Sequence, residues 1–241
     1  MKNIVLGLII VMCLSACEKT LEEVPKDFVS KANFYNSEED AQAAIVGVYA
    51  GLQSDFFGMN HYLMTELHGD FIFGRGSQAP ITIWNQILDQ TSIGRCAANW
   101  SSLYTTINRA NAVLDNVSEI EDIDPEVKEQ ILGEAHFLRA LSYFELVRGW
   151  GAVPIKTSES IDLSAVEAAR EPVSKVYELI VADALAAESG LGEGDGQTGR
   201  ASKWAAKMLL AHVYLTIEDW EAAAEKADDV IVNGPFSLVE V

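Results

Sequence analysis

Apolar residues recur at three- and four-residue intervals through most of the chain, the spacing that gathers them on one face of an α-helix. Ala41, Ala44, Ile45, Val48, Tyr49 and Leu52 form the first stripe. Ser37 and the acids Glu38, Glu39 and Asp40 stand just before it as a helix-capping signal, and Gly51 lies inside it near its end. A second stripe comprises Trp100, Leu103, Tyr104, Ile107, Asn111 and Leu114. Asn111 is its one polar member, and once buried it must find hydrogen-bond partners. A third helix is expected from near Pro125 to about Arg148, and a fourth carries Val173, Val176, Tyr177, Ile180, Val181, Ala184 and Leu185. Strand signals are limited to short pieces such as "GAVPIKT" and "ITIWN", so the expected fold class is all-α.

The run "FLRALSYFELVRGWGAVP", residues 137–154, has the look of a motif. Phe137, Leu141 and Phe144 share one helical face, while Leu138, Tyr143, Leu146 and Val147 fall on neighbouring ones. A helix apolar most of the way round is packed between others. Arg139, Glu145 and Arg148 have the spacing of ion-pairing or backbone-capping groups. Gly149 and Gly151 should end the helix around Trp150, and Pro154 should keep the exit extended.

Near the end of the chain, Leu210, Ala211, Tyr214, Ala223, Ala227 and Pro235 stand at the relative spacings of a tetratricopeptide repeat over 201–235. Val230 replaces one small residue of that pattern and Lys207 its usual Trp. Asp219 should cap the second helix of the pair, and Asn233-Gly234-Pro235 should end it in a left-handed turn followed by a breaker. The third and fourth helices could supply a neighbouring pair, which makes the architecture an α-α superhelix of tetratricopeptide-like pairs.

Residues 1–16 read as a signal peptide: Lys2, an apolar core from Ile4 to Leu14, then Ser15 and Ala16, too short to span ~30 Å of hydrocarbon. Leu14-Ser15-Ala16-Cys17 resembles a bacterial lipobox, in which the cysteine becomes the lipidated first residue of the mature chain. Cys13 would leave with the signal and Cys17 would carry lipid, so Cys96 alone remains and no internal disulfide is expected. Residues 17–31, acidic and polar, read as a tether, and 32–241 as the folded domain. Each buried acyl methylene contributes ~0.8 kcal/mol, so lipid alone can hold such a protein to a membrane. With 17 basic and 36 acidic residues the formal charge is −19, which repels phosphate backbones and argues against a nucleic-acid partner.

Several stretches, taken together and in order, resemble the SusD/RagB family of nutrient-binding outer-membrane lipoproteins. They are the lipobox, "WSSLYTTINRAN" (100–111), "GEAHFLRALSYFELVRGWGAVP" (133–154), "VYELIVADALAAESGL" (176–191) and "GRASKWAAKMLLAHVYL" (199–215). The resemblance implies a surface-exposed helical lipoprotein of a Bacteroidetes-type bacterium that works with a SusC-like TonB-dependent transporter and delivers glycans or similar oligomers to it. It also implies binding without catalysis. Members of the family are about twice this length, so the sequence reads as an N-terminal half whose usual C-terminal partner half is absent.

In this family carbohydrate sites lie on loops over the helical scaffold. Between Met59 and Trp100 the chain is richest in loops, and Asp70, Arg75, Trp84 and Asn85 supply the types that suit sugars: a ring for C–H faces, and polar groups for hydroxyls. Other chemistry is weaker. Gly194-x-Gly196-x-x-Gly199 is formally a dinucleotide fingerprint, but a helix rather than a strand precedes it. Glu193 and Asp195 are too few oxygens for calcium, and His61, His68, His136 and His212 lack the spacing of a zinc site. Neither cofactor nor metal is implied. Two further classes stand beside the binding lipoprotein: a tetratricopeptide scaffold that binds only protein, and a surface glycoside hydrolase using Glu66 and Asp70 if they face each other across a helical turn.

Overall fold

The computed structural model describes residues 34–53, 58–67, 69, 71–76, 79–82, 90–160, 167–194 and 199–238. The signal segment, Cys17 and the tether lie outside them. Among the described residues the chain is helical: α1 (Glu38–Gln53), α2 (Met59–Thr65), α3 (Ala79–Thr82), α4 (Gln90–Val117), α5 (Pro125–Trp150), α6 (Val173–Gly190), α7 (Lys203–Thr216) and α8 (Trp220–Asn233). The expected all-α class holds. "GAVPIKT" contributes one isolated bridge, Val153 to Glu171, and "ITIWN" begins inside the short helix α3, its last three residues lying outside the described set.

α1 starts as its capping signal requires. The Ser37 hydroxyl accepts from the Asp40 amide at 3.2 Å, and the Asp40 carboxylate accepts from the Ser37 amide at 3.1 Å. Gly51 permits a close crossing: a Cβ there would stand 2.5 Å from Thr106 Oγ1 and 3.2 Å from Thr106 Cα. Across that crossing the Ser102 hydroxyl donates to the Gly51 carbonyl at 2.6 Å, while Arg109 donates to the Gly47 carbonyl at 2.7 Å, so α1 and α4 run antiparallel.

α5 is the central helix. Asp124 caps it by accepting from the Glu126 amide at 2.9 Å, and Pro125 occupies the first turn, where no amide hydrogen is needed. It packs between α4 and α6 and also touches α1 and α7, burying Leu138, Tyr143, Phe144, Leu146 and Val147. The helix runs two residues past Arg148. Gly149 lies inside it, and the true terminator is Gly151, whose φ of 71° only glycine adopts without strain. α6 lies antiparallel to α5, with Gly190 against Gly133 at one end and Tyr177 against Phe144 at the other. Val176, Ile180 and Ala184 of its stripe are buried, but Val173 and Leu185 face outward, and Asp183 takes a place inside.

α7 and α8 form the tetratricopeptide-like pair. Leu210, Ala211, Ala223 and Val230 are buried between helices, and Asp219 caps α8 by accepting from the Ala222 amide at 3.3 Å. Lys207, at the position of the usual Trp, pairs with Asp229 and lies over the Trp204 ring at 5.0 Å. Asn233-Gly234-Pro235 departs from expectation. Gly234 has φ −70° and ψ 154°, not a left-handed conformation, because the following proline ring drives the residue before it into the extended region. Met208, Trp220, Ile231 and Phe236 of this pair are more than half exposed.

Candidate functional site

The loop-bearing edge lies between α2 and α4. Leu63 and Leu67 are buried and Ile72 packs on them, forming a small apolar cluster separate from the main core. α2 rests against α4, where the Asn99 amide meets Met64 Sδ at 2.9 Å. The helix stops at Thr65: Glu66 is its C-cap, and the Gly69 amide turns back to the Glu66 carbonyl at 2.9 Å. Glu66 therefore stands at the end of this helix rather than inside it, and its partner in the hydrolase reading, Asp70, lies outside the described residues.

Beyond Gly69 the chain alternates. Ile72 turns in, while Phe71 and Phe73 turn out, 102% and 73% exposed. Gly74 is buried and donates to Thr82 Oγ1 at 3.2 Å, and that hydroxyl donates to the Ala79 carbonyl at 2.9 Å, fixing the loop to α3. Arg75 follows, exposed. Of the sequence-expected site residues, Arg75 is thus placed on an exposed loop beside two exposed rings. Asp70, Trp84 and Asn85 lie outside the described residues. Phe71 and Phe73 escaped the sequence reading, although the alternation of "DFIFGR" carries the signal, since period two puts Phe71 and Phe73 on the face opposite Ile72.

A buried polar network ties together α4, α5, α6 and the segment after α5. Arg139, 6% exposed, grips Asp183, 3% exposed, by two bonds of 2.7 Å, Nε to Oδ2 and Nη2 to Oδ1. Its Nη1 donates to Asn111 Oδ1 at 2.7 Å, and His136 Nδ1 lies 2.8 Å from Asp183 Oδ1. Burial pushes the Asp183 carboxyl upward, but the bonds and charges of Arg139 and His136 outweigh it and hold the group below its usual range. The Asn111 amide donates to the carbonyls of Lys156 and Ser158 at 3.1 and 3.0 Å. Tyr104 and Tyr143 donate to the carbonyls of Pro154 and Lys156 at 2.7 and 3.0 Å. The extended strap after α5 is thereby tied to α4 and α5. Burial pushes the Tyr143 phenol up to about 12, so it remains a donor across the physiological range.

A second network was silent in sequence. Glu134, fully buried, accepts from Arg200 Nε at 2.9 Å and from Gln130 Nε2 at 2.8 Å, and Arg200 Nη1 donates to Gln42 at 2.9 Å. It joins α1 and α5 to the segment leading into α7. Glu193 pairs with Lys203 at 2.5 Å, and Gly194 and Gly199 have φ of 102° and 93°. These glycines serve a turn after a helix, which is no setting for a dinucleotide; Asp195 and Gly196 lie outside the described residues.

Among the described residues the fold is an antiparallel α-helical array with tetratricopeptide-like pairing, carrying exposed aromatic and arginine side chains on a loop between helices. Residues 21–215 match the SusD-like family described as starch-binding and associating with the outer membrane, and the chain belongs to that family. Among its relatives, SusD-like protein P25 of Formosa agariphila is 28% identical over 99% of this chain, and SusD-like protein P2 of the same organism is 32% identical over 94%. A SusD superfamily protein from Bacteroides thetaiotaomicron superposes with a TM-score of 0.72 at 27% identity, over 84% of this chain and 48% of that one. A laminarin-binding SusD-like protein superposes with a TM-score of 0.67 at 28% identity, over 82% and 44%. The chain spans about half the length of these relatives, 47% of P25 and 45% of P2.

Proposed function

We propose that this chain is the helical, glycan-contacting part of a cell-surface lipoprotein that captures oligosaccharides for a SusC-like TonB-dependent transporter, without catalysing their cleavage. The observation that carries this reading is the exposed Phe71, Phe73 and Arg75 on one short loop of a scaffold from a family described as starch-binding. Aromatic rings cover the C–H faces of sugars, and guanidinium groups donate to their hydroxyls. Asp70, Trp84 and Asn85 belong to the same loop-rich stretch and complete the set of contacts. Lipid on Cys17 holds the protein to the outer membrane, facing outward, with the acidic tether between anchor and scaffold.

Electrophoresis through gels cast with laminarin or starch tests the reading. The intact chain should be retarded by at least one of the two, and Arg75→Ala and Trp84→Ala should each migrate nearer to the control position. Equal mobility with and without every polysaccharide tried would remove the glycan assignment and leave a protein-binding scaffold in its place.

A further inference from the structure

A cleft of about 640 Å³ runs along the outer face of α4, closed on its far side by the strap after α5. Trp100, Tyr104 and Asn108 follow one another at four-residue intervals along its floor, with Ser101 and Thr105 beside them at the same interval. An aromatic ring paired with a hydroxyl therefore occurs on two successive helical turns, ~6 Å apart, and Asn108 beside Arg109 continues the row on the third. From the first residue of α4 the cleft extends between ~15 and ~27 Å down the helix at 1.5 Å per residue.

The floor is built rather than incidental. Trp100 is held against Trp150 at 5.4 Å and Tyr104 at 4.9 Å, with the Arg170 guanidinium over its ring at 5.8 Å. Tyr104 is fixed through its hydroxyl to the Pro154 carbonyl, and Asn108 Oδ1 accepts from the Ser160 amide at 2.7 Å, so both walls are pinned together. Ser101 and Thr105 are exposed. No carboxylate lines the cleft among the described residues, although the whole chain carries −19.

From this arrangement we infer that the α4 cleft is a second saccharide site, which takes a linear glycan chain lying along the helix. A chain of pyranose rings presents apolar C–H faces and hydroxyl rims in alternation, ring after ring. That pattern matches the rings and hydroxyls on two successive turns, and a size of several hundred cubic ångströms suits a short oligosaccharide. Absence of carboxylates spares the ligand's hydroxyls competition from strong fixed acceptors, and Arg109 and Lys156 place hydrogen-bond donors in the lining. The inference rests on the glycan-binding reading above and adds a contact surface on α4 to the one proposed for the loop.

Indole ¹⁵N–¹H spectra of the intact chain, assigned by Trp→Phe variants and titrated with laminarihexaose, maltohexaose, cellohexaose and mannohexaose, test it. The Trp100 signal is expected to shift saturably with at least one probe. It should do so equally in Trp84→Ala, and the affinity should drop at least ten-fold in Thr105→Lys, where an exposed residue is enlarged across the cleft without touching the core. Ser101→Ala with Thr105→Ala should weaken binding several-fold while thermal unfolding stays unchanged. A stationary Trp100 signal with all four probes, or a shift that vanishes in Trp84→Ala, would overturn the cleft site while leaving the loop reading intact. Saturable Trp100 shifts alongside unaltered binding in Arg75→Ala and Trp84→Ala would support the cleft and overturn the loop.

Discussion

Asp183 shows how much one residue can decide in a helical array. It sits on the apolar stripe of α6, where a lone carboxylate would be costly, and it is tolerated because Arg139 and His136 satisfy both oxygens. Removing its charge in Asp183→Asn leaves Arg139 buried and half-paired, and should lower stability by ~3–5 kcal/mol, read from urea unfolding at neutral pH. The acid response follows from the lowered carboxyl pKa. A depressed folded value adds stability that is fully present above the unfolded value, ~3.9, and is lost as pH falls through the folded one. The wild type should therefore lose stability steeply below about pH 4, and Asp183→Asn should lose less over the same interval. Parallel acid-unfolding slopes for the two proteins would contradict that assignment. In sequence, Arg139 was recognisable as an ion-pairing group, and Asn111 as a polar residue in need of partners. Asp183 was not singled out, although its place between Ile180 and Ala184 on the buried face was there to be seen. Which acid meets which arginine depends on helices 44 residues apart coming together, and spacing along one helix carries no trace of that.

Helices pack here through small residues at their closest points. A Cβ on Gly133 would stand 3.0 Å from the Gly190 carbonyl carbon and 3.1 Å from the Leu191 amide nitrogen, and one on Gly190 would stand 3.0 Å from the Glu129 carbonyl oxygen. Because the obstacles are backbone atoms, neither helix can yield locally. Gly133→Ala should cost ~1–3 kcal/mol by overpacking. Gly47 provides the contrast, for a Cβ there meets nothing within 4 Å, and Gly47→Ala should stabilise α1 by ~0.5–1 kcal/mol. Thermal unfolding of the pair checks both; equal shifts in the same direction would show that the α5–α6 crossing is not set by its glycines. Element existence was legible because stripes such as Trp100 to Leu114 are long and regular. Ends were less so, since Gly149 and Gly151 look alike in sequence and only the second adopts a positive φ. At Gly234 two known preferences compete, glycine for the left-handed region and the pre-proline position for the extended one, and the proline prevails.

At the scale of the molecule, an acidic helical scaffold is held rigid by buried networks around Arg139 and Glu134 while its candidate contacts sit on the outside, on a loop and along α4. Rigid support and exposed aromatic groups are what a glycan-binding surface requires, because ordering a floppy site on binding would consume much of the affinity. The family was legible in sequence through motifs such as the run from Phe137 to Pro154, which forms the central helix and its exit. Of the exposed side chains on the candidate loop, the sequence reading named Arg75 and passed over Phe71 and Phe73. The central claim is that this chain binds a glycan through that loop. Titration calorimetry of the intact chain with laminarin and with starch, repeated on Phe71→Ala/Phe73→Ala/Arg75→Ala, tests it most directly. The expected result is saturable heat with at least one polysaccharide and at least a ten-fold loss of affinity in the triple variant, ~1.4 kcal/mol or more. Binding by the triple variant at the affinity of the unaltered chain, with thermal unfolding unchanged, would contradict it.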